Sequence, residues 1–279
     1  MGVRIIIKDV NYSLNSLGLV ADKLPEMNER VKAYVTEFLK DQQDYVIKKE
    51  EVDALIYLDK KLSENNLYSK MRGIFPFIGK TSNQLGINLV NTEYSIYGLP
   101  YRNNKSDVYI PSGNINIPVD TSWYKNMGFI AYQNKPATSV PTSIKATLSL
   151  NHGCFVFWNY ITEESISATA FQSSVYTASK IGFKDVDTIL NKNEFLSFFA
   201  GDNGMTSYHN LSKSTANYNA SYLDDESVLN GKKLIFGSPW GNNVLPLSFL
   251  AITTGDITDD EYQKLYDIIR SFLSNVGNL

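Results

Sequence analysis

The sequence predicts a mainly β protein, an antiparallel β-sandwich that a C-terminal amphipathic helix closes. From about residue 71 onward, short runs rich in Ile, Val, Phe, Tyr and Thr alternate with Gly, Asn, Ser and Pro clusters, a pattern typical of a sandwich or barrel. Within residues 143–150 polar and apolar side chains alternate strictly, as they do in a strand with one solvated face. A helical stripe follows the last of these runs.

The first segment, residues 1 to about 24, has the character of an arm. It opens with the run Val3–Ile7 and continues through Asn, Ser and Gly residues, which favour turns. A single strand exposes its backbone groups and invites pairing. The partner strand could belong to the same chain or to another chain, and both interpretations stay open.

The second segment, from about residue 25 to residue 68, is predicted to be helical. Pro25 suits a first helical position, and apolar residues from Met27 to Phe38 recur at spacings of three and four. A second stripe runs from Val52 to Leu62 and fades at Asn65. Two short helices bury little area alone, so they pack on the same chain or form an oligomerisation element.

Residues 1–70 are therefore predicted to form an N-terminal arm and a helical anchoring and oligomerisation region. The apolar residues assigned to assembly are Val3, Ile5, Ile7, Val31, Val35 and Phe38.

Residues 71–279 are predicted to form the sandwich and its closing helix. The expected strands lie at residues 86–90, 107–110, 128–132, 143–150, 154–160, 166–171, 194–200, 233–236 and 247–253. The helix begins at a capping box, in which Thr258 caps the first turn and Glu261 reaches back to it. Its apolar stripe runs from Tyr262 to Val276, and Gly277 is predicted to end it.

Composition argues against several function classes. The chain has 279 residues and a formal net charge of -3, which does not favour nonspecific nucleic-acid binding. A single cysteine, Cys154, excludes an intrachain disulfide and a cysteine-based zinc site. Apolar runs are too short for a membrane helix, and no secretion signal is visible. We expect a protein made in a cytoplasm, with no membrane insertion and no cofactor.

The sequence contains no recognisable motif for catalysis. Gly73–Thr81 resembles a phosphate-binding loop, but it has five residues between its glycines instead of four. His152 and His209 have no ligand-like neighbour, so no metal site is predicted. Asp185 and Asp187 would share one face of a strand, although no glycosidase signature surrounds them. Whether loop carboxylates bind calcium stays open.

Aromatic and asparagine residues crowd the predicted loops, where they suit contact with a glycan or a protein partner. The candidates for such contact are Tyr97, Tyr101, Trp123, Tyr124, Tyr208 and Trp240.

The order of these parts resembles the concanavalin A/LamG-like virion proteins, head or tail fibres, of crAss-like and related phages of gut Bacteroidales. Three stretches carry the resemblance: Val3–Asp9 with the arm after it, Ile74–Gly79 followed by Ile87–Leu89, and Ala251–Ile257 running into the last helix. The chain has Ser95–Pro100 where the family more often has a Gly-Gly-Trp segment, which weakens any shared ligand role for that stretch.

The resemblance implies a concanavalin A/LamG-like jelly-roll sandwich in a structural protein of the virion. Such a protein would be a homodimer or homotrimer that contacts capsid proteins through its N-terminal region and displays its sandwich to host or mucosal glycans. No catalytic residue carries over. The alternative function is a bacterial carbohydrate-binding module or glycoside hydrolase of the concanavalin A-like fold. A cell-surface adhesin is a third alternative, which the missing secretion signal weakens.

Overall fold

The computed structural model describes residues 4–7, 10–13, 26–41, 45–98, 101–102, 108–109, 112–115, 126–133, 145–150, 155–159, 167–170, 179–182, 194–201, 204–216, 234–237 and 247–277. The helices are α1 (Glu29–Phe38), α2 (Lys49–Glu64), α3 (Ser82–Leu85) and α4 (Asp259–Asn275), with 3-10 turns at Tyr68–Lys70 and Thr92–Tyr94.

The structure describes seventeen strands. They are β1 (Arg4–Ile7), β2 (Val10–Ser13), β3 (Met71–Phe75), β4 (Ile96–Gly98), β5 (Tyr101–Arg102), β6 (Val108–Tyr109), β7 (Ser112–Ile115), β8 (Met127–Gln133), β9 (Lys145–Leu150), β10 (Phe155–Asn159), β11 (Ser167–Ala170), β12 (Ser179–Gly182), β13 (Glu194–Gly201), β14 (Gly204–His209), β15 (Ser212–Ala216), β16 (Leu234–Gly237) and β17 (Leu247–Thr253).

Two antiparallel sheets form the body of the protein. The seven-stranded sheet has the order β12-β11-β10-β9-β16-β7-β4, and the eight-stranded sheet has the order β15-β14-β13-β8-β17-β6-β5 with β3 also paired to β17. Strand β12 contacts β14 and β15, so the sheets meet along one edge. The antiparallel jelly-roll sandwich with a C-terminal helix, as predicted from the sequence, is confirmed.

Helices α2 and α4 contact each other and cover one face of the eight-stranded sheet. Alternate residues of its central strands share a hydrophobic core with the helices. These sheet residues are Ile130, Tyr132, Phe195, Phe199, Tyr208, Phe249 and Ala251. Successive strand residues point to opposite faces, so this alternation identifies the side of the sheet that the helices cover.

The other face of the same strands is also buried, and it lies toward the seven-stranded sheet. Its residues include Phe129, Ala131, Leu196, Phe198, Leu250 and Ile252. Burial on both faces explains why the run Leu247–Thr253 is apolar almost throughout instead of alternating. The molecule thus has three layers, with helices on one sheet and that sheet on the other.

Helix α4 matches the sequence prediction in detail. Thr258 Oγ1 accepts a hydrogen bond from the Glu261 N–H (3.3 Å), and Glu261 Oε2 accepts one from the Thr258 N–H (2.8 Å). The stripe from Tyr262 to Leu273 is buried, and Gly277 adopts φ +71°, the left-handed conformation expected after a helix. Lys70 Nζ donates to Glu261 Oε2 (2.9 Å), which joins the helix to the residue before β3.

The N-terminal helices belong to this same core. Val31, Val35 and Phe38 are at most 1% exposed, and they lie in one hydrophobic cluster with α2, α4 and the sheet. The assignment of these three residues to oligomerisation is therefore wrong, because the chain buries them itself. Of the two alternatives for the helices, packing on the same chain holds.

Two local predictions need correction. Helix α1 begins at Glu29, not at Pro25, because the Asn28 side chain accepts from the Val31 N–H (3.0 Å) and supplies the cap. Residues 86–90 form no strand. There Asn88 Oδ1 accepts from the N–H groups of Ile74 and Val90 (both 3.0 Å), so a side chain takes the place of a partner strand.

At the N-terminus β1 pairs with β2 as an antiparallel hairpin. The predicted first strand is therefore present, and its partner belongs to the same chain.

Candidate functional site

The predicted contact residues divide into three groups. Tyr97 and Tyr101 lie on the short strands β4 and β5. Trp123, Tyr124 and Trp240 lie outside the residues that the structure describes. Tyr208 lies in strand β14, so its predicted place in a loop is wrong.

Tyr97 and Tyr101 come together at one edge of the sandwich. Strand β4 ends the seven-stranded sheet and β5 ends the eight-stranded sheet, and only residues 99 and 100 separate these two strands. In the register Tyr97 pairs with Asn114 and Tyr101 pairs with Tyr109. The fold thus concentrates tyrosine and asparagine positions where one sheet passes to the other.

The register of the seven-stranded sheet divides its residues into two faces. One face is apolar apart from glycines and one serine, and it carries Ile96, Gly98, Gly113, Ile115, Ala146, Leu148, Leu150, Phe155, Phe157, Trp158, Ala168, Ala170, Ser179, Ile181, Leu234 and Phe236. An apolar face of this kind is typical of the inner side of a sandwich.

The opposite face, which we call the polar face, takes the remaining positions of the register. Its positions are Tyr97, Ser112, Asn114, Lys145, Thr147, Ser149, Val156, Asn159, Ser167, Thr169, Lys180, Gly182, Ile235 and Gly237. Hydroxyl, amide and ammonium groups dominate this set, and they are the donors and acceptors that bind polar ligands. Lys145, Thr147 and Ser149 are the polar positions that the alternation in residues 143–150 predicts.

Tyr208 is part of the core and is not a loop contact residue. It is 4% exposed, and its ring stacks on Tyr262 at a centroid distance of 3.8 Å. Its hydroxyl donates to Asp259 Oδ1 (2.5 Å), and Lys213 Nζ donates to both oxygens of the same carboxylate (2.6 and 2.9 Å). Because side chains alternate along a strand, Tyr208 of β14 faces α4. The sequence predicted a loop at this position and therefore missed this contact.

These contacts shift two pKa values in opposite directions. Burial, followed by the hydrogen bond to Asp259, raises the pKa of the Tyr208 hydroxyl. The ammonium of Lys213, followed by the Tyr208 hydroxyl, lowers the pKa of the Asp259 carboxyl. Both groups therefore keep the charge states that the hydrogen bonds need, and the cluster attaches the first turn of α4 to β14.

His209, which the sequence placed in a polar loop, is the last residue of strand β14 and is only 6% exposed.

A second polar cluster, missed from the sequence, joins α1 to α2. Asp59 is completely buried, and its Oδ1 accepts from Arg30 Nε (2.6 Å) and from the Tyr68 hydroxyl (2.6 Å). The guanidinium carbon of Arg30 lies 3.8 Å from the centre of the Tyr68 ring. The signal was an aspartate at an inward helical position, since a buried carboxylate requires a partner.

The glycine-containing segment at 73–81 does not form a nucleotide site. It includes strand β3, which pairs antiparallel with β17, and its residues Phe75 and Phe77 are buried. Gly79 adopts φ +105°, and a Cβ there would lie 2.6 Å from Gln84 Cβ. The glycine thus serves a tight turn between β3 and α3.

Within the described residues, no group of three or more His, Cys, Asp or Glu side chains is arranged so that it could hold a metal ion. Asp185 and Asp187 fall outside that part of the chain. None of the helices that the structure describes is long and apolar enough to cross a membrane.

No family model matches the chain, and no curated protein matches it either. Among solved structures, a Trypanosoma rangeli sialidase mutant that displays trans-sialidase activity matches 80% of this chain and 39% of its own, with 9% identity and a TM-score of 0.50. The receptor-binding domain of botulinum neurotoxin mosaic serotype C/D matches 72% of this chain and 51% of its own, with 12% identity and a TM-score of 0.48. The chain thus spans only about 39% and 51% of the lengths of these two proteins, and the likeness to the sialidase concerns the fold alone.

Proposed function

We propose that this protein is a structural component of a phage virion, a homo-oligomeric head fibre or tail-fibre-like protein that displays its sandwich and binds glycans. The observation that carries the proposal is the one-sided architecture. Helices α2 and α4 cover the eight-stranded sheet, while one register face of the seven-stranded sheet carries most of its hydroxyl, amide and ammonium positions. Such groups suit a hydroxylated ligand, because each of them can donate or accept hydrogen bonds.

The resemblance to phage virion proteins also has a structural counterpart. Two of the three stretches that carry it are neighbours in the fold, since β3 pairs with β17 and Ile74 lies opposite Ala251. The stretch after β17 leads directly into the capping box of α4. These residues pack together as one unit. The two stretches therefore support the resemblance jointly and not as two independent short segments.

Assembly is assigned to the N-terminal hairpin. In its register Ile5 pairs with Tyr12 and Ile7 pairs with Val10, so four apolar positions share one face. A two-stranded hairpin is marginally stable alone in water, and contact with a second copy or with a capsid protein would stabilise it.

The assembly role is tested by measuring the molar mass of the full chain by light scattering. We expect a dimer or trimer that the double variant Ile5→Asp, Ile7→Asp dissociates. The control Asn11→Asp adds a charge on the opposite face of the hairpin and leaves the mass unchanged. A monomeric wild-type protein would contradict the assembly role.

The virion role is tested on purified phage particles. We expect mass spectrometry to find the chain in the particles at a fixed ratio to the major capsid protein, and gold-labelled antibodies against it to mark the particle surface. A chain present in infected-cell lysate but absent from washed particles would overturn the virion role. Release of reducing sugar by the purified protein, abolished by Asp185→Asn or Asp187→Asn, would support the glycoside hydrolase instead.

A further inference from the structure

Helix α2 is buried on two sides. Its residues Ala54, Leu55, Leu58 and Asp59 are all at most 1% exposed, and adjacent residues of a helix point about 100° apart. The Asp59 carboxylate accepts a hydrogen bond from Arg30 Nε of α1 (2.6 Å), and α2 also contacts α4. Helix α2 therefore packs between α1 and α4, and both neighbours keep its buried side chains out of water.

Helix α4 is also buried on two sides. The adjacent residues Ile268 and Ile269 are at most 5% exposed. Toward the sheet, the Phe272 ring lies with its centre 5.8 Å from the centre of the Phe249 ring of β17, and α4 contacts α2 as well. Helix α4 thus joins α2 to the eight-stranded sheet.

The segment that leaves α2 is bonded to the segment that enters α4. The Lys70 carbonyl accepts a hydrogen bond from the Thr254 N–H (2.9 Å). Lys70 Nζ donates to the Asp256 carbonyl (2.6 Å) and to Glu261 Oε2 (2.9 Å), which lie 186 and 191 positions further along the chain. A displacement of the first turn of α4 therefore breaks contacts of the segment after α2 as well.

Separation of α4 from its neighbours would expose apolar surface on each of them. Leu265 and Phe272 of α4 are completely buried, as are Leu55 and Leu58 of α2 and Ile130 of β8, and all five belong to one hydrophobic cluster. Exposing such surface to water is unfavourable. Because two short helices bury little area by themselves, α1 and α2 would lose apolar support together with α4.

We infer that α1, α2 and α4 open and close as one cooperative unit, which we call the helical clamp, and that α4 is the element on which it depends. Members of such a unit open together because each is stabilised by its contacts with the others. The inference rests on the proposed function, in which the N-terminal region assembles and the sandwich is displayed. The helical clamp then holds these two parts together, and it does so only while α4 is in place.

Native-state hydrogen exchange of the full-length protein, followed by mass spectrometry, tests the inference. The variant Leu265→Ala removes a completely buried side chain from α4. We expect protection from exchange to fall about 100-fold at the amides of α4. We expect the same factor at the amides of α1 and α2, although the substitution changes neither of these helices.

Two further variants complete the experiment. Ile269→Val removes only one buried methylene group, so it retains the fold even if Leu265→Ala does not, and it should lower protection about fivefold in all three helices. Lys264→Gln changes an exposed side chain of α4 and should leave protection unchanged.

Protection that falls in α4 while α1 and α2 keep their wild-type values would overturn the inference, because the helices would then open independently. This result is separate from the measurement of assembly. A monomeric wild-type protein in light scattering would refute the assembly role and leave the helical clamp standing. Independent opening of the helices would refute the helical clamp and leave the molar mass as the evidence on assembly.

Discussion

Replacing Asp59 should lower the free energy of unfolding more than replacing any exposed charged residue of the same helix does. In Asp59→Ala, Arg30 Nε and the Tyr68 hydroxyl lose the acceptor that they reach at 2.6 Å. A hydrogen bond to a charged group contributes about 1.5–3 kcal/mol, but Arg30 is 39% exposed and water replaces part of its loss. We therefore expect the free energy of unfolding, measured by urea titration, to fall by about 3 kcal/mol.

A control on α2 and a double-mutant cycle with Tyr68 test the same prediction further. Asp53→Ala removes an exposed carboxylate paired with Lys49 on the same helix and should cost less than about 0.5 kcal/mol. A double-mutant cycle of Asp59→Ala with Tyr68→Phe should give a coupling energy of about 1 kcal/mol or more. A cost below about 1 kcal/mol for Asp59→Ala, or no coupling, would refute the role assigned to this cluster.

Three further predictions concern the junction of β17 and α4. Gly255→Ala should lower the melting temperature strongly, because its Cβ would lie 1.9 Å from the Ala200 carbonyl oxygen; an unchanged melting curve would contradict this close approach. Thr258→Ala should cost about 1 kcal/mol and Thr258→Ser much less; equal losses in urea titrations would show that the cap does not matter. Because Lys213 lowers the pKa of Asp259 in the folded state, that carboxylate stabilises the fold fully above its ordinary pKa of 3.8 and loses this effect as pH falls through the lower folded value. Lys213→Gln should reduce this acid sensitivity, and parallel pH profiles of wild type and variant would disprove the pairing.

The sequence predicts best those elements whose pattern is local. Thr258 and Glu261 define the start of α4 within four residues, and the run at residues 247–253 coincides with β17. The alternation in residues 143–150 agrees with the register of β9, where Ser149 lies on the polar face. Each of these signals depends only on neighbours along the chain.

Predictions failed where a tertiary contact decided the outcome. Residues 86–90 are apolar enough for a strand, yet Asn88 satisfies the nearby backbone groups and keeps them in a turn. Tyr208 has a sequence neighbourhood typical of a polar loop, but stacking on Tyr262 draws it into the core. The burial of Val35 depends on the contacts of helix α1 with α2 and α3, which the pattern of α1 alone does not show.

The polar face could not be read from the sequence, because its residues come from strands that are distant in the chain. Tyr97 and Asn114 become neighbours of Ile235 only through the pairing of β4, β7 and β16. Single strands of three or four residues, such as β4 and β12, carry too little pattern for a prediction.

Lysine footprinting of the full-length protein tests most directly the claim that contact occurs on one side of the molecule. Acetylation rates are measured by mass spectrometry with and without a bound mucosal glycan. We expect the glycan to slow acetylation of Lys145 and Lys180 and to leave the rates at Lys60 of α2 and Lys264 of α4 unchanged. Slower acetylation of Lys60 and Lys264, with Lys145 and Lys180 unaffected, would place contact on the helical side and contradict the account.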